Sequence, residues 1–133
     1  MDAFQADYER ISNCLTAATG IKPLYYRFPG GSTEVTEKLQ MTDLDAYFNA
    51  QGASYFDWNV IAANNTTDDV SANKMVDSVM NGVALYDTSI VLMYDSVDRK
   101  MTAKSLDSIL DYLLKNGYEI LPIDENTIPI HHS

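Results

Sequence analysis

Three short stretches carry the residues that, by type and by spacing, most suggest chemistry. They are Arg27-Phe28-Pro29-Gly30-Gly31-Ser32, Tyr55-Phe56-Asp57-Trp58-Asn59-Val60 and Leu92-Met93-Tyr94-Asp95-Ser96. Arg27 brings a permanent charge and a planar set of donors suited to a carboxylate. It reads either as a strand-end arginine packed on Tyr25 or Tyr26, or as the partner of an acid such as Asp57 or Asp95. Tyr94 reads either as strand-end packing or as a hydroxyl that touches a ligand. Asp95 and Ser96 suit loop shaping through backbone N–H capping better than nucleophilic attack. Gly30-Gly31 lets the chain turn and is too short to cradle a phosphate. The only histidines, His131 and His132, are adjacent. Neighbouring side chains rarely converge on one ion, so the pair reads as part of a flexible tail over 124–133.

The composition narrows the classes of function. The 133 residues fit a single domain, since domains most often run to roughly 100–150 residues. Hydrophobic residues make up 46%, enough for a core, which argues against disorder. Net charge is -10, from 19 acidic and 9 basic residues. Phosphate backbones and anionic lipid would repel such a chain, because binding there relies on Lys and Arg. Nucleic acid and membrane insertion are therefore not expected. No apolar run approaches the roughly 20 residues needed to span a bilayer. The start, Met1-Asp2-Ala3-Phe4, lacks the basic and apolar regions of a signal peptide. The single cysteine, Cys14, has no internal disulfide partner and falls on the apolar side of a predicted helix, as a small buried hydrophobe would.

The elements that must position these residues alternate. Phe4, Tyr8, Ile11 and Leu15 recur at helical spacing, with Gly20 and Pro23 closing the helix. Leu24-Tyr25-Tyr26 reads as a strand running into Arg27, and Glu34 to Leu39 as a turn or two of helix. Thr42 or Asp43 is the expected cap of a second helix facing inward with Leu44, Tyr47 and Phe48, and Gly52 is its stop. Ser54 to Ile61 is expected as one strand, followed by a polar loop over Asn64 to Asp69. Ser71 caps a helix carrying Met75, Val76, Val79, Met80 and Val83. Ser89 to Met93 is an apolar run suited to a strand covered on both faces. A last helix presents Leu106, Ile109, Leu110, Leu113 and Leu114 and stops at Gly117, before a final strand over Tyr118 to Leu121. This α-β-α-β-α-β-α-β order predicts an α/β fold with a parallel sheet. In such folds sites gather at the C-terminal ends of strands, where Arg27, the residues after Trp58, Tyr94-Asp95 and the loop after Leu121 fall.

The three stretches together resemble the third, fourth and fifth motifs of the polysaccharide deacetylases, carbohydrate esterase family four with the NodB-homology domain. The resemblance is to the peptidoglycan N-acetylglucosamine deacetylase type and to the C-terminal half of its distorted (β/α) barrel. Thr102-Ala103-Lys104-Ser105-Leu106 and Gly117-Tyr118 fit the same family's last helix and strand. The resemblance implies zinc-assisted, or other divalent-metal, hydrolysis of N-acetyl groups on peptidoglycan or chitin-like glycans. Such chemistry needs a Lewis acid that activates water and a proton donor for the amine. It further implies that Arg27 orients a catalytic aspartate, that Phe28 and Pro29 line the site, and that Trp58 and Leu92 form apolar walls with Asp95 nearby.

The same resemblance implies substitutions at the proton-handling positions. The acid histidine falls on Tyr94, and two aspartates fall on Ile61 and Asn64. A tyrosine, with an ordinary pKa of about 10, is a poor acid for this step. The family's first two motifs, which supply the base and the metal ligands, do not occur in these residues. The chain is therefore expected to carry no metal site or cofactor of its own and to be inactive in isolation. The alternatives are a functional fragment of an active deacetylase, completed by an upstream half or a partner chain, and a pseudoenzyme used for glycan binding or assembly. Half of a barrel leaves strand edges uncovered, which predicts a homodimer or a partner over the open side. A glycan remains the implied ligand, and the family is typically extracellular or on the cell surface.

Overall fold

The computed structural model describes residues 1–35, 39–63, 70–95 and 100–132. The described chain divides into two compact units, Met1–Asp57 with Ile128–Ser133, and Trp58–Thr127.

In the first unit helix α1 spans Asp2–Thr19 and stops at Gly20. Strand β1, Tyr25–Tyr26, leads into a 3-10 turn at Ser32–Val35. Helix α2, Met41–Gln51, then returns the chain to strand β2, Ser54–Tyr55. The two strands pair in parallel, Tyr25 with Ser54 and Tyr26 with Tyr55, which makes a β-α-β unit. Its core is aromatic. Phe28, Phe48 and Tyr55 are buried with Tyr8, Leu44 and Ala53, and Phe4, Tyr26 and Tyr47 pack against them. Phe28 meets Phe48 and Tyr55 edge-on, with ring centroids 5.9 and 5.2 Å apart. Such geometry contributes about 0.5–1.5 kcal/mol per pair beyond burial.

The second unit repeats the pattern. Strand β3, Val60–Ile61, is followed by helix α3, Ala72–Val83, strand β4, Val91–Leu92, and helix α4, Lys100–Lys115. Strand β4 pairs in parallel with β3, Val91 with Val60 and Leu92 with Ile61. Ser71 caps α3 as the sequence predicts, its hydroxyl accepting from Lys74 N at 3.3 Å. Val60, Ala62, Met75, Val79, Val83 and Ile109 form the core. Asn59 extends the ladder by side chain as well as backbone. Its amide donates to Thr88 O at 2.9 Å, and its Oδ1 accepts from Ile90 N at 2.9 Å.

Several expectations are corrected. The single strand over Ser54 to Ile61 is two strands, β2 and β3, in two separate sheets. Successive backbone donors take partners in different segments, Phe56 N on Tyr26 O, Asp57 N on Ile130 O and Asn59 N on Ile90 O. No final strand forms over Tyr118 to Leu121. Tyr118 N instead donates to Leu113 O, closing the end of α4 at Gly117, and Leu121 is 69% exposed. Helix α2 starts two residues early, with Gln40 as its N-cap, which puts Thr42 and Asp43 inside it. The helical turn expected over Glu34 to Leu39 is the 3-10 segment Ser32–Val35, and residues 36–38 lie outside the described set.

Cys14 is exposed rather than buried. Helix α1 turns Phe4, Tyr8 and Ser12 inward, and Cys14 lies two residues beyond Ser12, about 200° round the helix. Ile11 and Leu15 are likewise exposed, as are Leu106 and Leu114 on α4, where Ser105 and Ile109 take the buried positions.

Candidate functional site

The residues singled out in sequence divide between the two units. Arg27, Phe28 and Pro29 belong to the first, and Trp58, Leu92, Tyr94 and Asp95 to the second. Asn64 and Ser96 lie outside the described residues.

In the first unit the chain leaves β1 through Arg27, which is exposed and donates from Nη1 to Phe28 O at 3.2 Å. Phe28 is 2% exposed, so its side chain belongs to the aromatic core. Pro29 is exposed and opens the turn. Gly31 N closes it on Phe28 O at 2.9 Å. Gly30 and Gly31 take φ of 79° and 95°, a region in which residues with a Cβ are strained. The turn delivers Ser32 to the interior, at 1% exposure.

Ser32 meets Asp57 there, and Asp57 is the organising residue of this unit. Also 1% exposed, it accepts the Ser32 N–H on Oδ1 at 2.8 Å and the Ser32 hydroxyl on Oδ2. Oδ2 further accepts the His132 N–H at 2.7 Å, while Asp57 N donates to Ile130 O at 2.7 Å. Burial pushes the carboxyl up, but the hydrogen bonds from Ser32 and His132, aided by the His132 charge, outweigh it and hold Asp57 below its ordinary value. A buried ionised carboxylate would be costly if these donors were lost.

The segment expected as a tail makes defined contacts. His131 stacks on Tyr55 with centroids 4.0 Å apart and planes at 10°. Its Nε2 lies 3.1 Å from Tyr55 O. A carbonyl only accepts, so Nε2 carries the proton. The Tyr55 hydroxyl donates to Asp45 Oδ1 at 3.0 Å. Burial first, and then that hydrogen bond, raise the Tyr55 pKa well above the usual phenol value. Asp45, Phe48, Asn49, Tyr55, Pro129 and His131 line a groove of about 280 Å³.

In the second unit Leu92 is buried in β4 and its carbonyl accepts from Ala62 N at 3.0 Å. Trp58 and Tyr94 are half-buried, and Asp95 is exposed beyond the strand end. Among the described residues no three His, Cys, Asp or Glu side chains come together.

Sequence reasoning missed the role of Asp57, of Ser32 and of the two histidines. The signal for Asp57 was available. A carboxylate between Phe56 and Trp58, in a run otherwise suited to burial, needs donors. Nothing local says that Ser32 and His132 supply them, 25 and 75 residues away.

No protein-family model matches the chain, and no match is found among the curated proteins. Solved structures do match. The catalytic domain of a peptidoglycan N-acetylglucosamine deacetylase from Eubacterium rectale superposes with a TM-score of 0.86 at 28% identity, covering 99% of this chain and 61% of that one. A CE4 esterase from Streptococcus mutans gives 0.70 at 23% identity over 84% and 49% of the two chains. A polysaccharide deacetylase from Bacillus cereus gives 0.74 at 19% over 92% and 59%. The chain thus spans about three fifths of the length of the Eubacterium rectale domain.

Proposed function

We propose, from the premise that this chain has the fold of part of a polysaccharide deacetylase, that it is a deacetylase-like unit without hydrolytic activity of its own. The observation that carries this reading is the donor set. No cluster of three ligating side chains exists among the described residues, and the position that the resemblance gives to the acid histidine holds Tyr94. Hydrolysis of an N-acetyl amide near neutral pH needs both an activated water and an acid for the amine. Arg27, Trp58 and Leu92, which the resemblance assigns to orientation and to apolar walls, supply neither.

A zinc-supplemented deacetylation assay on N-acetylglucosamine oligomers tests this. The unmodified chain and Tyr94→His should both release acetate at the rate of the protein-free control. Turnover by the unmodified chain sinks the proposal.

The share of the matched domain that this chain covers favours a second reading. At 61% of that length, the chain is completed by a further β/α segment, on the same polypeptide or another, that brings the ligands. The partner would cover apolar residues such as Ile120 and Leu121, which are exposed here, or a second copy of the chain would do so. A glycan is the ligand on either reading. Light scattering at micromolar concentration separates the cases. A stable dimer supports self-association, and a well-folded monomer that gains activity only with the metal-bearing part of a deacetylase supports completion.

A further inference from the structure

The Asp57 carboxylate holds two segments that lie far apart in sequence. On one side it takes both donors of Ser32, at the end of the Arg27–Gly31 turn. On the other it takes the N–H of His132, while its own N–H goes to Ile130 O. With Asp57 at 1% exposure, water cannot readily replace a lost donor. When either side leaves, the cost exceeds that of the bonds lost, because the charge stays buried and only partly satisfied.

We infer that Asp57 is a latch that couples the 128–132 segment to the Arg27–Ser32 turn, so that the turn keeps its position only while the segment is docked. Asp57 acts as a positioning residue. The ring of His131, stacked on Tyr55 with Nε2 on Tyr55 O, seats the segment along β2. Coupling through one buried group is reciprocal, since each segment stabilises the docking of the other by the same free energy. This inference is independent of the proposed function, because it concerns only contacts within the first unit.

Amide hydrogen exchange on the full chain tests it from both ends. His132→Pro removes the His132 donor, and exchange at the Ser32 amide should accelerate about tenfold or more, the mark of a lost coupling of one order in equilibrium constant. Ser32→Ala removes the hydroxyl donor on the opposite side, and the His132 amide should accelerate in turn. Val60 to Ile61 and Val91 to Leu92, in the other unit, should keep their rates in both variants. In the unmodified chain the Ser32 and His132 amides should lose protection together as urea rises. Acceleration confined to the mutated side, or different urea dependences of the two amides, overturns the latch. Should one variant unfold, the other variant and the urea series each still decide it.

Discussion

Gly82 of α3 and Val60 of β3 are in such close contact that a Cβ placed on Gly82 would lie 2.6 Å from Val60 Cγ1 and 3.1 Å from Cγ2. The approach explains a glycine in the last turn of a helix, where alanine would be favoured by about 1 kcal/mol. Val60 cannot give way. It is 3% exposed, and its branched side chain has few rotamers to move to. Gly82→Ala should therefore destabilise the protein by up to about 2 kcal/mol, the overpacking cost net of the propensity gain. A urea unfolding curve with a lower midpoint and unchanged slope is expected; a raised midpoint would contradict the close packing.

Asp57 gives the fold a pH dependence with a definite sign. Its folded pKa lies below the ordinary carboxylate value, so its contribution is present above about pH 4, where the unfolded group ionises, and is lost as pH falls through the lower folded value. The groups facing it are the Ser32 hydroxyl and amide, His132 and the neutral Tyr55 phenol, whose pKa the Asp57 charge helps to raise. Asp57→Asn should cost about 1.5–3 kcal/mol at pH 7, the range for bonds to a charged acceptor. The gap between the two proteins should narrow below about pH 4. Parallel stability curves from pH 7 to pH 2 would rule this out.

Helix α4 offers a contrast between two residues that the sequence pattern treats alike. Ile109 is 2% exposed and Leu114 61%. Ile109→Ala should destabilise by about 2–5 kcal/mol through the lost burial and the cavity left behind. Leu114→Ala should fall within about 0.5 kcal/mol of the parent. Thermal unfolding of the two variants side by side checks the assignment, and comparable losses would show that Leu114 is covered in solution.

The exposed position of Cys14 predicts that one thiol per chain is titrated by a bulky aromatic disulfide reagent without denaturant. A buried cysteine would react only after unfolding, so a denaturant requirement would restore the core reading of that helix face.

Part of this molecule was legible in sequence for local reasons. Helix stops at Gly20, Gly52 and Gly117, the Ser71 cap and the β-α-β order all rest on chemistry within a few residues. The spacing of the three motifs likewise pointed to the deacetylase fold, which the structural matches bear out. Stripe assignments on α1 and α4 were less secure, because an apolar residue at helical spacing can sit on either margin of the buried face. Ile11, Cys14, Leu106 and Leu114 are out, while Ser12 and Ser105 are in.

What the sequence alone determined is the alternation of elements and the residue types at each strand end, since both follow from propensity, capping and periodicity. Only the tertiary structure decided where the Ser54 to Ile61 run breaks, and that Tyr118 caps a helix rather than starting a strand. It alone decided that Asp57 joins Ser32 to His132 across 25 and 75 residues. The physical reason is common to all three. A backbone N–H or a buried carboxylate must find a partner, but which partner it finds depends on what the fold brings within about 3 Å.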